Sequence, residues 1–399
     1  MKFNSIVPVA SAAMAMFIAN LYYAQPLAGI IAQDIGLPIT LSGFLISASQ
    51  FGYAAGLLVI VPLGDAFEYR RLTLTCSGMI VVGLIGQALA HGPMTFIASG
   101  ALTGFFSAGA QILVPYLAHI LPERDRGRLL GYAIGSALLA VMFARPVALF
   151  VAGWTGWRTL YAASAALALV LLLLLRRTMH PLRMPTPLRS GPILWSMAGL
   201  LLRNTRVRRR IAYQAPLFAC FTMFWAVTPI MLSQRFGLGP FAIGIFALVG
   251  AGGVTAAPLA GRLSDNGQDR QAMRVALIAM MASFLLAIWA VNIGSLALLA
   301  IAAILIDGAA QATQTFSRLI VLDVAPEVRA RILGGYMTIV YSCGAMGSLA
   351  GISCYFHFGW LVVGLIGVLI PFAVLIATFG EARRHASTAI GSLDGRNAH

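Results

Sequence analysis

The sequence predicts an all-α membrane protein whose twelve transmembrane helices form two six-helix bundles. Hydrophobic residues make up 60% of its 399 residues and charged residues only 10%, whereas about a quarter of the residues in a soluble domain are charged. Apolar segments long enough to cross a bilayer follow one another along the whole chain. A polar hairpin with an aspartate and several arginines occurs twice, at Asp65 and at Asp265, half a chain apart. A duplicated membrane bundle leaves such a repeat.

Each apolar segment of about 20 residues predicts one membrane-spanning helix. The first segment is too long for the apolar core of a secretory signal peptide, so we expect it to remain as the first span. The twelve predicted spans cover residues 6–31, 41–64, 72–91, 95–120, 129–152, 156–176, 211–234, 241–262, 274–292, 295–320, 330–353 and 359–379. Because their number is even, both chain termini should lie on the same side of the membrane.

The distribution of the basic residues explains the net charge of +15. Arginines are concentrated in alternate loops, whereas the remaining loops contain only Arg158 and Arg235. By the positive-inside rule, the arginine-rich loops and both termini are cytoplasmic, as in a multi-pass protein of the cell inner membrane. The basic charge therefore reflects topology, and we expect no nucleic-acid partner. The four cysteines lack the spacing of a metal site, so we expect no metal.

The widest gap between spans divides the chain into two halves. We expect an N-terminal six-helix bundle over residues 1–176 and a C-terminal six-helix bundle over residues 211–380. A basic cytoplasmic linker over residues 177–210 should join them. The polar residues 381–399 should form a disordered cytoplasmic tail.

Several spans contain small residues at a spacing that lets helix backbones approach closely. We expect these spans to form the contact between the two halves. The residues concerned are Gly52 and Gly56, Gly131 and Gly135, Gly347 and Gly351, and the glycines of residues 241–262.

Two ionisable side chains, Arg145 and Asp307, lie well inside predicted spans. An ionisable group at the centre of a membrane helix costs about 2.5 to 3.5 kcal/mol on insertion scales, so both are candidates for function. The helical rise places them at similar depths in the outer half of the bilayer. We predict that Asp307 carries a coupling proton, and that Arg145 pairs with it or with an anionic group of a substrate. The alternative is a permanent buried ion pair that only fixes the packing.

The charged residues of the two hairpins are predicted to close the cytoplasmic side. An aspartate just beyond a span can accept hydrogen bonds from a neighbouring helix N-terminus and can pair with loop arginines. Such contacts would break when that side opens. The alternative is that these charges only mark the topology. The predicted cytoplasmic gate consists of Asp65 with Arg70, Arg71, Arg329 and Arg331, and of Asp265 with Arg126 and Arg128.

The chain resembles the major facilitator superfamily in its six plus six spans, its long central loop and the Gly-x-Leu-x-Asp-like hairpins after the second and eighth spans. The runs Asn20 to Pro26 and Leu305 to Gln311 are similar to those of the proton-coupled exporter branch, which includes multidrug, sugar and nucleoside efflux proteins. The chain departs from the family pattern at Ala66 and Gly100, near positions that often hold arginine. It also departs at residues 144–146, where antiporters have a Gly-Pro pair.

In the family that the chain resembles, the first, fourth, seventh and tenth spans line a central cavity. On the tenth span, Asp307 shares one helical face with two glutamines and with Arg318. Arg318 is close enough to the cytoplasmic end to extend its side chain towards the membrane surface. The resemblance implies that the substrate contacts Tyr22, Tyr23, Gln25, Gln111, Phe221, Trp225, Gln311 and Gln314.

Enzyme motifs are missing from the sequence, since it contains neither a glycine-rich phosphate loop nor a histidine pair at metal spacing. With the resemblance, this predicts a monomeric secondary active transporter without a cofactor, working by alternating access in the lipid bilayer. We expect proton-coupled export of a small, partly hydrophobic or amphipathic compound. One alternative is a proton symporter that imports a small anionic nutrient. The other is a membrane receptor or structural protein that transports nothing.

Overall fold

The computed structural model describes residues 3–182, 199, 201, 204–250, 252–253, 256, 269–323 and 329–394. These residues are almost entirely helical and contain no β-strand. The helices are α1 (Phe3–Ala19), α2 (Ala24–Asp34), α3 (Gly43–Ala66), α4 (Tyr69–Ala88), α5 (Pro93–Ser107), α6 (Ala110–Ile120), α7 (Glu123–Thr155), α8 (Trp157–Thr178), α9 (Thr205–Phe236), α10 (Pro240–Gly250), α11 (Asp269–Asn292), α12 (Leu296–Asp323) and α13 (Arg329–Asp394). Most of the predicted linker lies outside the described residues.

The described helices account for eleven membrane crossings and part of a twelfth, in agreement with the predicted fold class. Nine helical stretches are long and apolar enough to span a bilayer, with α5 and α6 together forming one of them, and α1 and α2 form a tenth. The stretch Ile332–Phe379 has 48 residues and would be about 72 Å long as one helix, more than twice the bilayer core. It is broken at Gly359, where φ is 78°, so it supplies two crossings. α10 is the described part of the remaining crossing.

Two crossings are interrupted near their centres. The first is broken between α1 and α2 at residues 20–23 with a bend of 51°, and the fourth is broken between α5 and α6. Pro26 follows the first break in the opening turn of α2, where a missing backbone N–H costs no helical hydrogen bond. Tyr22 at this break and Gln25 just after it both contact Arg145 of α7. The break therefore helps to build the centre of the protein.

The glycine pairs bring helices together within each half. In the first half, the pair in α3 lies against backbone carbonyls of α5, and in the second half the pair in α13 lies against α9. The pair in α7 has open space around it. The paired glycines do not themselves make the contact between the halves, because the spacing permits close approach to any helix and the nearest one belongs to the same half. The expectation that the spans carrying these glycines form that contact is confirmed, since α3 packs against α13 and α7 packs against α10. The pairs concerned are Gly52 and Gly56, Gly347 and Gly351, and Gly131 and Gly135.

The two halves contact each other towards the helix ends that carry few arginines. Gly43 at the start of α3 packs on Leu349 of α13, and Gly244 of α10 packs on Phe150 of α7. The ring of Phe150 also meets that of Phe241, with centroids 5.1 Å apart. Among the glycines of the eighth predicted span, Gly244 therefore does lie between the halves.

α13 continues through the predicted tail as far as Asp394. The expectation of disorder is wrong for residues 381–394. The glutamate, alanine and arginine residues at the start of this segment are strong helix formers, and they extend a helix that is already formed. Residues 395–399 lie outside the described part of the chain.

Candidate functional site

Arg145 lies at the centre of the protein in a cage of aromatic rings. It belongs to α7 and is only 3% exposed. Its Cζ atom lies 5.2 Å from the ring centroid of Tyr22, 5.4 Å from that of Phe221 and 4.6 Å from that of Trp225. A guanidinium group is attracted to the faces of aromatic rings. The rings therefore offset part of the free-energy cost of burying this charge.

The hydrogen-bond donors of Arg145 are only partly used. Its Nε donates to Oε1 of Gln25 at 2.8 Å, and Nε2 of Gln25 donates to the backbone carbonyl of Thr222 at 3.4 Å. Nη2 of Arg145 is buried and has no hydrogen-bond partner among the described residues. A buried donor without a partner costs free energy. A ligand that places an acceptor on this atom would remove that cost and bind more tightly.

Asp307 is held at the edge of the same cage by Trp225. The indole Nε1 donates to Oδ1 of Asp307 at 2.6 Å, and both side chains are almost fully buried. Two glycines of the eighth crossing make room for this pair, since Gly250 lies against the indole ring and Gly253 lies against Cβ of Asp307. A side chain at Gly253 would collide with Asp307, so this close approach requires glycine.

Arg145 and Asp307 interact electrostatically without forming a direct ion pair. Trp225 contacts both charges, one through its ring face and the other through its N–H. Arg145 can therefore take a further partner. No three histidine, cysteine, aspartate or glutamate side chains of the described residues converge on a metal position. The ion pairs within the described residues are Arg71–Glu68, Arg128–Asp125 and Arg158–Asp34.

The site combines residues from both halves of the chain. The hydrogen bond from Gln25 to the carbonyl of Thr222 also crosses between the halves. A relative movement of the halves would therefore change the contacts of Arg145 while those of Asp307 with Trp225 persist. The first half contributes Tyr22, Gln25 and Arg145, and the second half contributes Phe221, Trp225 and Asp307.

The remaining residues that were predicted to face the substrate lie away from Arg145. Tyr23 packs within the first half, where its ring meets that of Tyr161 edge-on at a centroid distance of 6.4 Å. Gln111 donates from Nε2 to the hydroxyl of Tyr53 at 3.1 Å. The other two lie one and two turns along α12 from Asp307, towards the arginine-rich end: Gln311 and Gln314.

Sequence reasoning missed an aromatic layer next to the site, formed by Tyr53, Tyr341 and Phe218. Tyr53 of α3 meets Tyr341 of α13 edge-on with centroids 4.7 Å apart, and Tyr341 meets Phe218 of α9 at 5.0 Å. The aromatic layer thus joins the two halves. A signal was present in the two tyrosines, because a buried tyrosine hydroxyl within an apolar span needs a polar partner.

Each of the four gate arginines whose side chains are described has a partner in its own half. These contacts are Arg70 with the Arg176 carbonyl, Arg71 with Glu68, Arg126 with the Leu121 carbonyl, and Arg128 with Asp125. Asp265 and the side chains of Asp65, Arg329 and Arg331 lie outside the described part of the chain. The cytoplasmic gate therefore stays a prediction.

Two cavities between the halves flank the buried site. A cavity of about 220 Å³ lies towards the arginine-poor end, with residues of α2, α9 and α10 in its wall. A second cavity of about 290 Å³ lies towards the arginine-rich end between α3, α6 and α13, with Gln111 in its wall.

Comparison with known proteins identifies the family. A family model described as the Major Facilitator Superfamily matches residues 9–348. The uncharacterized transporter YgaY of Escherichia coli O157:H7 is 34% identical over 373 residues, which cover 93% of this chain and 94% of the relative. The probable transporter SCO4007 of Streptomyces coelicolor is 28% identical, over 89% of this chain and 82% of its own. The crystal structure of a D-xylose-proton symporter has the same fold, with a TM-score of 0.72 at 15% identity over 94% of this chain and 97% of the symporter. The chain belongs to the major facilitator superfamily, a family of membrane transporters.

Proposed function

We propose that this transporter couples the movement of protons to the passage of a small amphipathic organic anion. Arg145 binds the anionic group and Asp307 carries the proton. The observation that supports this most directly is Nη2 of Arg145, a buried donor without a partner among the described residues. It belongs to a cage that also contacts Asp307 through Trp225.

The chemistry of the cage favours an anion with an apolar body. A guanidinium group presents its donors in one plane and binds carboxylate or phosphate oxygens strongly. Gln25 occupies only the Nε donor of Arg145, which leaves Nη2 for a substrate oxygen. The rings of Tyr22 and Phe221 offer contact surface for the apolar part of the substrate. A cationic substrate would be repelled by Arg145.

Charge balance links the proton to the anion. With Arg145 positive and Asp307 negative, the empty site has no net charge. A proton on Asp307 alone would leave the positive charge of Arg145 uncompensated. An anion on Arg145 alone would leave the negative charge of Asp307 uncompensated. Either net charge is costly in a buried site. A proton and a monovalent anion together restore neutrality. We therefore infer that the two load together, so that a proton gradient directed inwards drives uptake.

Export is the second candidate function. The similarity of the run Asn20 to Pro26 to the exporter branch favours it. In an exporter, proton and substrate would exchange at Asp307, and a partly hydrophobic compound would bind against the same rings. The two candidates differ in the direction in which protons move relative to the substrate.

The arginine distribution also supports an orientation. In this proposal, the arginine-rich helix ends and both termini face the cytoplasm of a cell inner membrane. The protein works there as a monomer surrounded by lipid. Opening at the arginine-rich end would break the predicted gate at Asp65 and Asp265.

Proteoliposomes with an imposed pH difference test this function. Benzenesulfonate, a simple aromatic anion that stays ionised and does not cross a lipid bilayer unaided, serves as the first probe in a panel of small organic anions. Wild-type vesicles should accumulate the anion when the outside is more acidic. Asp307→Asn should abolish this accumulation but retain exchange of labelled for unlabelled anion. Arg145→Gln should reduce both by at least about tenfold, as expected when a charge-assisted hydrogen bond is lost.

Arg235→Gln is the matched control, because Arg235 is an exposed arginine at the end of α9, and it should transport at the wild-type rate. Wild-type accumulation by Asp307→Asn would overturn the assignment of the proton site. Normal exchange by Arg145→Gln would overturn the assignment of the anion site.

A further inference from the structure

A second group of unpartnered polar atoms lies on the arginine-rich side of the aromatic layer. Gln314 of α12 is 9% exposed, and its Nε2 has no hydrogen-bond partner among the described residues. One turn further along the same helix face, Nε of Arg318 is buried and also lacks a partner. The hydroxyl of Tyr336 on α13, a fully buried side chain, lies beside Ser317 of α12. Arg318 is thus partly buried, although its position predicts a side chain extended to the membrane surface.

These atoms belong to a group assembled from both halves. Arg318 interacts electrostatically with the hydroxyl of Tyr53 in the first half and with that of Tyr336 in the second. Tyr53 accepts the hydrogen bond from Gln111 at 3.1 Å. Gln111 in turn lines the cavity of about 290 Å³. Tyr53 and Gln111 therefore connect Arg318 to a space between the halves that is large enough for a small solute.

We propose that Gln314, Arg318 and Tyr336 form a second anion-binding station, separate from Arg145. The unpartnered Nε2 of Gln314, the unpartnered Nε of Arg318 and the hydroxyl of Tyr336 can each donate a hydrogen bond, and an anionic oxygen is the acceptor that binds such donors most strongly. The ion pairs within the described residues include no carboxylate on Arg318. The identity of its ligand rests on the proposed function, since the station would hold the same organic anion that binds at Arg145.

Asp307, beside the cage of Arg145, and Arg318 of the second station both belong to α12 and lie on different sides of the aromatic layer. Arg318 follows Asp307 by three turns of α12, which corresponds to about 16 Å along the helix axis. This distance is about half the thickness of the hydrocarbon core. An anion that leaves Arg145 when Tyr53 and Tyr341 separate would meet Arg318 next. The second station therefore gives a small anion an intermediate position between the central site and the arginine-rich end.

Anomalous diffraction from crystals soaked in 4-bromobenzoate locates the anion directly, because bromine scatters anomalously at its absorption edge. The wild-type protein should show one bromine peak in the cage of Arg145 and another beside Gln314 and Arg318. Arg318→Gln should lose only the second peak. Arg318→Lys keeps the positive charge and should retain it. Gln314→Leu should weaken binding at the second station by at least about tenfold, and it keeps the test available if Arg318→Gln does not fold.

The absence of a wild-type peak beside Arg318, or its persistence in Arg318→Gln, would overturn the second station. A peak beside Arg318 with none at Arg145 would support the second station and contradict the anion site of the proposed function. The failure of one proposal can therefore be told apart from the failure of the other.

Discussion

A single indole ring contacts both buried charges of the site. The face of Trp225 lies 4.6 Å from the guanidinium of Arg145, and its N–H donates to Asp307 at 2.6 Å. Trp225 and Asp307 belong to the second half of the chain and Arg145 to the first. When the halves move, the contact with Arg145 can break while the hydrogen bond to Asp307 remains. The electrostatic environment of Asp307 would then differ between the two conformations, as proton coupling requires.

Trp225→Phe keeps an aromatic face towards Arg145 and removes the hydrogen bond to Asp307. A hydrogen bond to a charged group contributes about 1.5 to 3 kcal/mol. Since the lost bond favours the charged carboxylate, Asp307 should bind its proton at higher pH in the variant. The pH profile of benzenesulfonate transport should therefore move towards alkaline pH. Trp360→Phe, which removes an indole donor to the carbonyl of Ala287, is the control and should leave the profile in place. An unmoved profile in Trp225→Phe would exclude this hydrogen bond from the proton site.

The extent to which the site could be predicted varies with the chemistry of each residue. Arg145 and Asp307 can be found from sequence because a charge in an apolar span is costly. Tyr22 and Tyr23 are adjacent and were assigned the same role, yet only Tyr22 contacts Arg145. The break at residues 20–23 turns neighbouring side chains in different directions, and helical periodicity does not predict such a break.

At the scale of helices, the small-residue spacing predicts close packing correctly but does not identify the neighbour. Gly52 and Gly56 press α3 onto α5 within the first half, whereas Gly244 packs on Phe150 across the two halves. Both kinds of contact have the same sequence signature. The neighbour of a helix depends on the tertiary arrangement, which a single span does not encode.

Gly52→Ala should lower the stability of the protein in detergent. The added methyl group would collide with the carbonyl of Ala101 in α5, and overpacking of this kind costs about 1 to 3 kcal/mol. The thermal unfolding temperature should fall by several degrees. Gly78→Ala is the matched control, because the same substitution in the middle of α4 meets no atom within 4 Å. Equal unfolding temperatures for Gly52→Ala and the wild type would show that α3 and α5 can separate without cost.

At the scale of the whole molecule, hydropathy and arginine distribution were enough to predict twelve helices in two bundles. Neither observation predicts at which helix ends the two halves contact each other. The contact at the arginine-poor ends depends on pairs such as Gly43 with Leu349 and Phe150 with Phe241, which join residues far apart in the chain. The predicted gate at the arginine-rich end consists only of contacts between charged side chains. Such contacts can form and break with little change in helix packing.

Joint loading of a proton and an anion is tested most directly by counting both in the same vesicles. Proteoliposomes that contain a pH-sensitive dye and receive labelled benzenesulfonate report the number of protons moved per anion. Valinomycin and potassium set the membrane potential independently. If Arg145 and Asp307 load together, one proton should move with each anion in the same direction, and the rate should not depend on the potential. Protons that move opposite to the anion, or a rate that follows the potential, would contradict joint loading.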